Sequence, residues 1–469
     1  MKKSLTALAI SAALVAPAFA TNGMAPVGIG QMAKGMGGAS IAYPQDSLQG
    51  SNNPAGMVHL GNRMDVGIEI FIPNRGFSTT EAGFYDPGVE PGCEVSCGEA
   101  TAPALVGDYN GNGSGAMESW FPIPEFGYNR MINDDLSVGV SVFGNGGMNT
   151  TYRTDHPFSI LQSPSFNEME APPWDDGPNV GIDLMQLFVT PSISYKVNDK
   201  LSVGAALNLI AARFSADGIA MFGGFSADPS NLSDNGNSYA YGASLRVGMQ
   251  AQLSDAVTVG ATYQTIGKMS EFDEYSGLFP DGGTMDIHAN WGVGIAIKAT
   301  DKLDIAMDVM QILYGGTNAM GNNPNSVDVA AGGSPAACDD PADTCFGDND
   351  GPGFGWGDQT VYKLGLAYQY SDDLTLRAGY NYGETPVDLT DLGFALNTLA
   401  PGITEHHATF GFTKSLGDGA SITGSYIHTF NKKQDGTLSL PSPDGSYVMN
   451  DGYLEMSQNA FGIAYNKTF

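Results

Sequence analysis

At 469 residues, 42% of them hydrophobic, the chain is long enough to bury a large core, yet it carries 50 Asp and Glu against 20 Lys and Arg, a formal charge of −30. So acidic a chain is excluded as a nucleic-acid binder, because a phosphate backbone needs cationic partners. No Pro- or Ser-rich linker divides it, so one large closed architecture is expected rather than a string of modules.

The chain opens with Lys2 and Lys3, an apolar stretch from Leu5 to Val15, and then Ala18-Phe19-Ala20. That order of charge, apolar run and small-x-small site is the pattern of a cleaved secretory signal, so residues 1–20 are expected to be removed and the mature chain to begin at Thr21. The run is shorter than the ~20 apolar residues of a membrane-crossing helix. No later stretch is long and apolar enough to cross as a helix, so the chain either stays soluble after export or crosses as strands.

Residues 21–60 are rich in glycine and small side chains without strand alternation, and are expected to form a compact element under or inside the remainder. From residue 61 a two-residue beat takes over. Met64, Val66, Ile68, Ile70 and Ile72 alternate with Asp65, Gly67, Glu69 and Phe71, and the same alternation recurs in Leu136–Val142, Leu201–Leu209, Leu245–Leu253, Ile287–Ile297, Tyr362–Tyr370 and Leu374–Tyr382. Alternation of this kind is what a strand needs when one face meets lipid and the other a polar lumen.

Six tight polar turns punctuate the runs, at 133–135, 198–200, 254–256, 300–302, 371–373 and 417–419. Barrels of the bacterial outer membrane keep short turns on the periplasmic side and long loops outside. Six inner turns then imply seven outer loops, placed at about 74–121, 149–181, 213–238, 265–284, 313–359, 383–405 and 431–451, and fourteen strands. The fold class expected is all-β, a 14-stranded antiparallel transmembrane β-barrel over 61–469 with 21–60 as a small N-terminal plug. The last run, Phe461, Ile463, Tyr465 and Phe469, ends on an aromatic, as clients of the barrel-assembly machinery do.

The cysteines fall in two local pairs, Cys93 with Cys97 and Cys338 with Cys345, each expected to form a disulfide in an exported chain. Their spacings match zinc knuckles poorly. Asp108, Asn110 and Asn112 open like a calcium loop, but its closing carboxylate arrives one residue early at Glu118; Asp348 and Asp350 form a shorter echo. Polar turns are the plainer reading of both. Gly28-Ile29-Gly30-Gln31-Met32-Ala33 matches a dinucleotide fingerprint in letters only, since no strand precedes it. No nucleophile motif accompanies the histidines; His428, in an apparent strand, is the single candidate for a triad assembled across strands, and neither enzymatic activity nor a cofactor is expected.

The run Lys34-Gly35-Met36-Gly37-Gly38-Ala39, then Asp46, then Asn53-Pro54-Ala55-Gly56 resembles the N-terminal hatch of the outer-membrane long-chain fatty acid transporters, the FadL/TodX-type family that also includes aromatic-hydrocarbon channels. Leu376-Arg377-Ala378-Gly379-Tyr380-Asn381-Tyr382 followed by Thr385-Pro386-Val387 is similar to a late strand of that family. The resemblance implies a hatch-plugged barrel that takes a hydrophobic ligand from outside and releases it sideways into the bilayer where the third strand bends. It would place that lateral opening at Phe143, Gly144, Asn145, Gly146 and Gly147.

On the same resemblance, ligand capture is expected at exposed apolar side chains of two outer loops: Phe214, Ile219, Met221, Phe222 and Phe225 in one, and Ile266, Met269, Phe272, Tyr275, Leu278 and Phe279 in the other. The plainer alternative is that they pack against one another. Arg246 and Arg377 fall on lumen parity and are candidates for a carboxylate headgroup. The expected partners are a fatty acid or hydrocarbon, outer-membrane lipid and lipopolysaccharide, and the assembly machinery, with the chain a monomer. A hydrocarbon channel and a surface receptor or adhesin are the alternative functions.

Overall fold

The computed structural model describes residues 21–79, 83–85, 107–114, 116–164, 175–326, 338, 344–441 and 447–469. Residues 1–20, expected to be an export leader, and Cys93 and Cys97 lie outside the described residues. Fourteen long strands close into an antiparallel barrel. They are β1 (Arg63–Thr79), β2 (Phe121–Asn133), β3 (Leu136–Tyr152), β4 (Val180–Asn198), β5 (Leu201–Asp217), β6 (Ser238–Ser254) and β7 (Val257–Gln264), followed by β8 (Ala289–Thr300), β9 (Leu303–Leu313), β10 (Gln359–Ser371), β11 (Leu374–Gly383), β12 (His406–Gly417), β13 (Ala420–Pro441) and β14 (Tyr447–Thr468). β14 closes on β1 from Thr468 opposite Arg63 to Gly452 opposite Thr79.

Each of the six turns read from the sequence joins two consecutive strands at one end of the barrel. The alternation holds as well: Val66 and Ile68 are 45% and 41% exposed on the outside, whereas Asp65 and Glu69 are buried within. Phe461, Ile463, Tyr465 and Phe469 all face outward, and Lys467 on the same parity bends its ammonium to the Asp418 carbonyl at the inner turn, keeping its charge at the membrane edge. The expected last loop, 431–451, is instead largely paired, since β13 and β14 stay in register out to Pro441 opposite Tyr447. Loop assignment from composition fails there because Gly, Asp and Asn are tolerated in a hairpin that projects into water.

Thr21–Leu60 fills the lumen. Here the barrel wall needs side chains that are nearly absent: in β2, β5, β6, β7, β11 and β14, a Cβ on Gly127, Gly204, Gly248, Gly260, Gly379 or Gly462 would lie within 2.5 Å of an atom of this segment. The plug therefore lies directly on the wall, with its backbone at Gly204, Gly260 and Gly379 and with a side chain at Gly127, Gly248 and Gly462. Asp65 accepts from the Ser47 amide, Asp308 from the amides of Ser40 and Ile41, and Ser194 and Ser202 both donate to the Ala55 carbonyl. Gly379→Val should cost about 1–3 kcal/mol by overpacking against the Gly37 amide and loosen the plug. Planar-bilayer conductance above wild type checks this, and Gly316→Ala, where nothing lies within 4 Å, should leave conductance unchanged.

Candidate functional site

The barrel wall has a window. The β2–β3 ladder stops at Glu125 opposite Phe143, yet β2 runs on to Phe121 and β3 to Tyr152. Two features of the chain account for the break. β2 carries Pro122 and Pro124, which supply no ladder N–H and belong on an edge. β3 carries a bulge between Gly144 and Gly147, with Gly146 at φ 78°, so from there up to Thr150 its ladder is with β4 alone. Above the gap the wall closes again, because Gly111 and Gly113 exchange backbone hydrogen bonds with Thr151. Some seven residues of β3 border the opening, roughly 20 Å at ~3.3 Å per residue.

Behind the window sits the start of the plug, a small hairpin pairing Thr21–Asn22 with Ala25–Pro26. Tyr314 holds it: the phenol accepts from the amides of Met24 and Ala25 and donates to the Asn22 carbonyl at 2.6 Å. Gly146 lies so close that a Cβ there would be 1.8 Å from the Met24 carbonyl oxygen. The space between hairpin and window is apolar, lined by Phe71, Phe121, Met148, Trp356 and Met456 with Arg75 at its edge.

A second, polar cavity opens on the other side of the bulge, where Asn145 shares its lining with Arg246, His288, Asn290 and Lys363. The Arg246 guanidinium is buried and donates to the Gln264 amide oxygen at 2.7 Å and to Thr262, Asn290 and the Asn52 carbonyl at 3.3–3.4 Å, all neutral. Its Nε has no hydrogen-bond partner among the described residues. Lys363 donates to the Val27 carbonyl at 2.9 Å. The bulge thus separates an apolar space facing the window from a cation-bearing one deeper in the lumen.

The remaining sequence-derived residues are placed as follows. Asn53 is a plug anchor: its side chain caps the short 3-10 helix begun by Pro54, accepting from the Ala55 amide, and donates to the Ile41 and Met249 carbonyls. Gly56 packs on Gln49 and Pro44. Arg377 is far from Arg246 in the chain's architecture, near the inner turns, where it donates to Gln45 and Thr413. Among the described residues neither arginine bonds a carboxylate, although acidic side chains abound in the sequence.

The capture residues do not form an exposed surface. Phe214, Ile219, Phe222, Phe225, Phe272, Tyr275 and Phe279 are all buried, with Met221, Met269 and Leu278 packed on the same cluster and Ile266 half-buried. Phe214 belongs to β5 and stands 4.9 Å and 4.7 Å, centroid to centroid, from Tyr275 and Phe279 in edge-on contacts. These side chains bury each other because aromatic area is expelled from water wherever loops can meet. The result is an apolar cap over the outer mouth. The Cys338–Cys345 disulfide is formed, and the adjacent Phe346 hydrogen-bonds through its backbone to Phe225 and Ala227 of the cap. His156 lies within it too; burial pushes its pKa down to about 3, so it stays neutral and accepts from the Phe158 amide.

The calcium-like segment is a short strand, Gly107–Asn110, followed by the bridge above the window. Asn112 is committed to the Arg75 amide and to Asn74, Asn110 to the Asn112 amide, and Glu118 to Arg153 and the Ser114 amide, while Asp108 is exposed. Asp348 accepts from the Cys345 amide and Asp350 is exposed. Among the described residues no three His, Cys, Asp or Glu side chains converge as metal ligands. The Gly28–Ala33 glycines serve close packing, Gly28 against Gly38 and Gly30 against Asp46. His428 hydrogen-bonds Asn459 beside Phe430. Sequence reading missed Pro122, Pro124, Arg75 and Tyr314. Proline at two alternate positions of a strand is itself an edge signal and would have located the window; Arg75 and Tyr314 carry no local signal.

Comparison with known proteins agrees with this fold. Residues 7–392 match the family model described as outer membrane protein transport protein (OMPP1/FadL/TodX). Similar solved structures include the Pseudomonas putida toluene transporter TodX (17% identity, TM-score 0.62, 94% of this chain and 99% of that one) and a Pseudomonas aeruginosa FadL homologue (14%, 0.62, 95% and 99%). The Ralstonia pickettii toluene transporter TbuX is also similar (17%, 0.59, 94% and 98%). No curated protein matches the chain. With four-fifths of its length matched by the family model and the same barrel throughout, the chain belongs to the OMPP1/FadL/TodX family of outer-membrane transport channels, which are not enzymes.

Proposed function

We propose that the protein carries long-chain fatty acids, or amphiphiles like them, passively across the outer membrane and releases them sideways through the window between β2 and β3. The observation that carries this reading is the buried Arg246 guanidinium, held only by neutral oxygens, in a cavity that meets the window region at the β3 bulge. A buried cation without a counter-ion is costly. A carboxylate headgroup arriving with an apolar tail would supply the missing partner, with its chain directed into the apolar space beyond the bulge. The route spares the ligand bulk water, where each methylene costs about 0.8 kcal/mol, and needs no energy input.

The plug's base is clamped on the wall glycines, so the rearrangement that opens the path is assigned to the hairpin Thr21–Pro26. A hydrocarbon route in the same fold is the second reading, favoured by the apolar lining at the window and by the toluene transporters among the similar structures. Uptake of labelled oleate and labelled toluene by cells with and without the protein separates the two. Oleate uptake should depend on the protein and fall roughly tenfold or more in Arg246→Met, since a charge-assisted hydrogen bond is worth about 1.5–3 kcal/mol. Dependence of toluene uptake alone would move the assignment to hydrocarbons, and dependence of neither would sink transport of both.

A further inference from the structure

A second arginine stands without a carboxylate partner among the described residues, and it lies across the window itself. Arg75 is on β1 just above the point where β2 ends, faces inward, and is 2% exposed. Its Nε and Nη2 donate to the main-chain carbonyl and the side-chain amide oxygen of Asn149, on the far edge of the opening, and Nη2 donates also to the Glu118 carbonyl at 2.8 Å. The two remaining contacts, from Nη1 to the Pro73 carbonyl and the Asn112 amide oxygen at 3.5 Å, are long. Of the acids near it, Glu118 pairs with Arg153, and Asp183 pairs with Arg213 while lying directly across the β3–β4 ladder from Asn149.

The guanidinium therefore ties β1 to β3 over a gap that the ladder leaves open, using neutral acceptors only. One of its sides rests 5.8 Å from the centre of the Phe121 ring, and it borders the apolar space with Met148 and Met456. A fork of N–H donors matches a carboxylate better than it matches an amide, and charged acceptors bind it about twice as strongly. Only an anion joined to an apolar chain would satisfy the guanidinium and the lining together. A hydrocarbon meets the same lining and has nothing to exchange for Asn149.

We propose that Arg75 is the specificity-determining residue of the lateral window, a latch between β1 and Asn149 of β3 that the carboxylate of a departing amphiphile releases by taking Asn149's place. The inference rests on the reading of the protein as a carrier of carboxylate amphiphiles. It divides the labour between two arginines: Arg246 receives the headgroup in the lumen, and Arg75 passes it through the wall. The latch also explains why an opening bordered by so many residues of β3 need not leak neutral solutes.

The test measures initial rates of oleate and toluene uptake by cells carrying the full chain, with barrel folding checked by heat-modifiable gel mobility. Arg75→Met keeps the length and removes the charge; oleate uptake should fall at least tenfold while toluene uptake stays level or rises. Arg75→Lys should restore part of the oleate rate. Asn149→Asp places a resident carboxylate on the latch, and should slow oleate several-fold through a lower maximal rate without affecting toluene. Wild-type oleate uptake by Arg75→Met, an equal loss of both substrates, or an unaltered oleate rate in Asn149→Asp would each overturn the proposal. If Arg75→Met does not fold, Asn149→Asp decides. Absence of oleate uptake by the wild type would instead bring down the fatty acid reading, and the latch with it.

Discussion

Replacing Lys34 by methionine is expected to destabilise the plugged barrel by about 3–5 kcal/mol, the largest single effect foreseen here. Lys34 is in the plug, and its ammonium lies 2.9 Å from Glu69 of β1 and 3.5 Å from Glu125 of β2. All three side chains are buried, the lysine 1% exposed. Removing the cation would leave two carboxylates facing each other away from water, and it is that uncompensated charge, more than the lost attraction, that costs. Chemical unfolding in detergent micelles measures the change. The combined Lys34→Met, Glu69→Gln, Glu125→Gln variant should recover most of it, because three neutral groups no longer need one another. An unaltered unfolding midpoint in Lys34→Met would show that the triad does not hold the plug.

The second large effect is expected at the bulge. Gly146 has φ 78°, a left-handed conformation that a β-branched residue adopts at a cost of about 1–3 kcal/mol. A Cβ there would also stand 1.8 Å from the Met24 carbonyl oxygen. Gly146→Val must therefore either straighten β3 or push the hairpin Thr21–Pro26 off Tyr314, and both disturb the window. Oleate uptake should drop roughly tenfold, the equivalent of ~1.4 kcal/mol, while the barrel still forms, since the glycine lies in a stretch that β2 does not pair. Normal uptake at a normal level of surface protein would remove the bulge from the ligand path.

The barrel was legible because its strands obey a period of two under a strong constraint. Lipid tolerates no unpaired backbone, so every crossing must be a strand with one apolar face and neighbours on both sides. Val66, Ile68, Asp65 and Glu69 reveal their faces by that rule alone, and Asp, Asn and Gly at 133–135 or 417–419 mark where the chain must turn in water. The plug was legible only as a contrast, a segment without alternation. That its backbone rests on wall glycines such as Gly260 and Gly379 appears only when residues more than a hundred positions apart are brought together.

The loops show the opposite case. Phe214, Phe272, Tyr275 and Phe279 read as an exposed apolar surface because nothing local says what they face. In the fold they face one another, since burial of aromatic area depends on which loops converge over the mouth and not on spacing along the chain. An excess of 50 acidic over 20 basic side chains makes a carboxylate the expected partner of any arginine. The tertiary structure instead gives Glu118 to Arg153 and Asp183 to Arg213, and among the described residues Arg246 and Arg75 rest on neutral oxygens.

The sequence by itself thus determined the strand count, the two faces of the wall and the inner turns, because each is set by backbone chemistry and a short repeat. The tertiary structure alone decided that Pro122 and Pro124 face the same gap as the bulge, that the loops close into a cap, and that Arg75 bridges the opening. Those outcomes depend on register around a closed sheet and on contacts between distant segments, where a shift of one residue would exchange lumen for lipid.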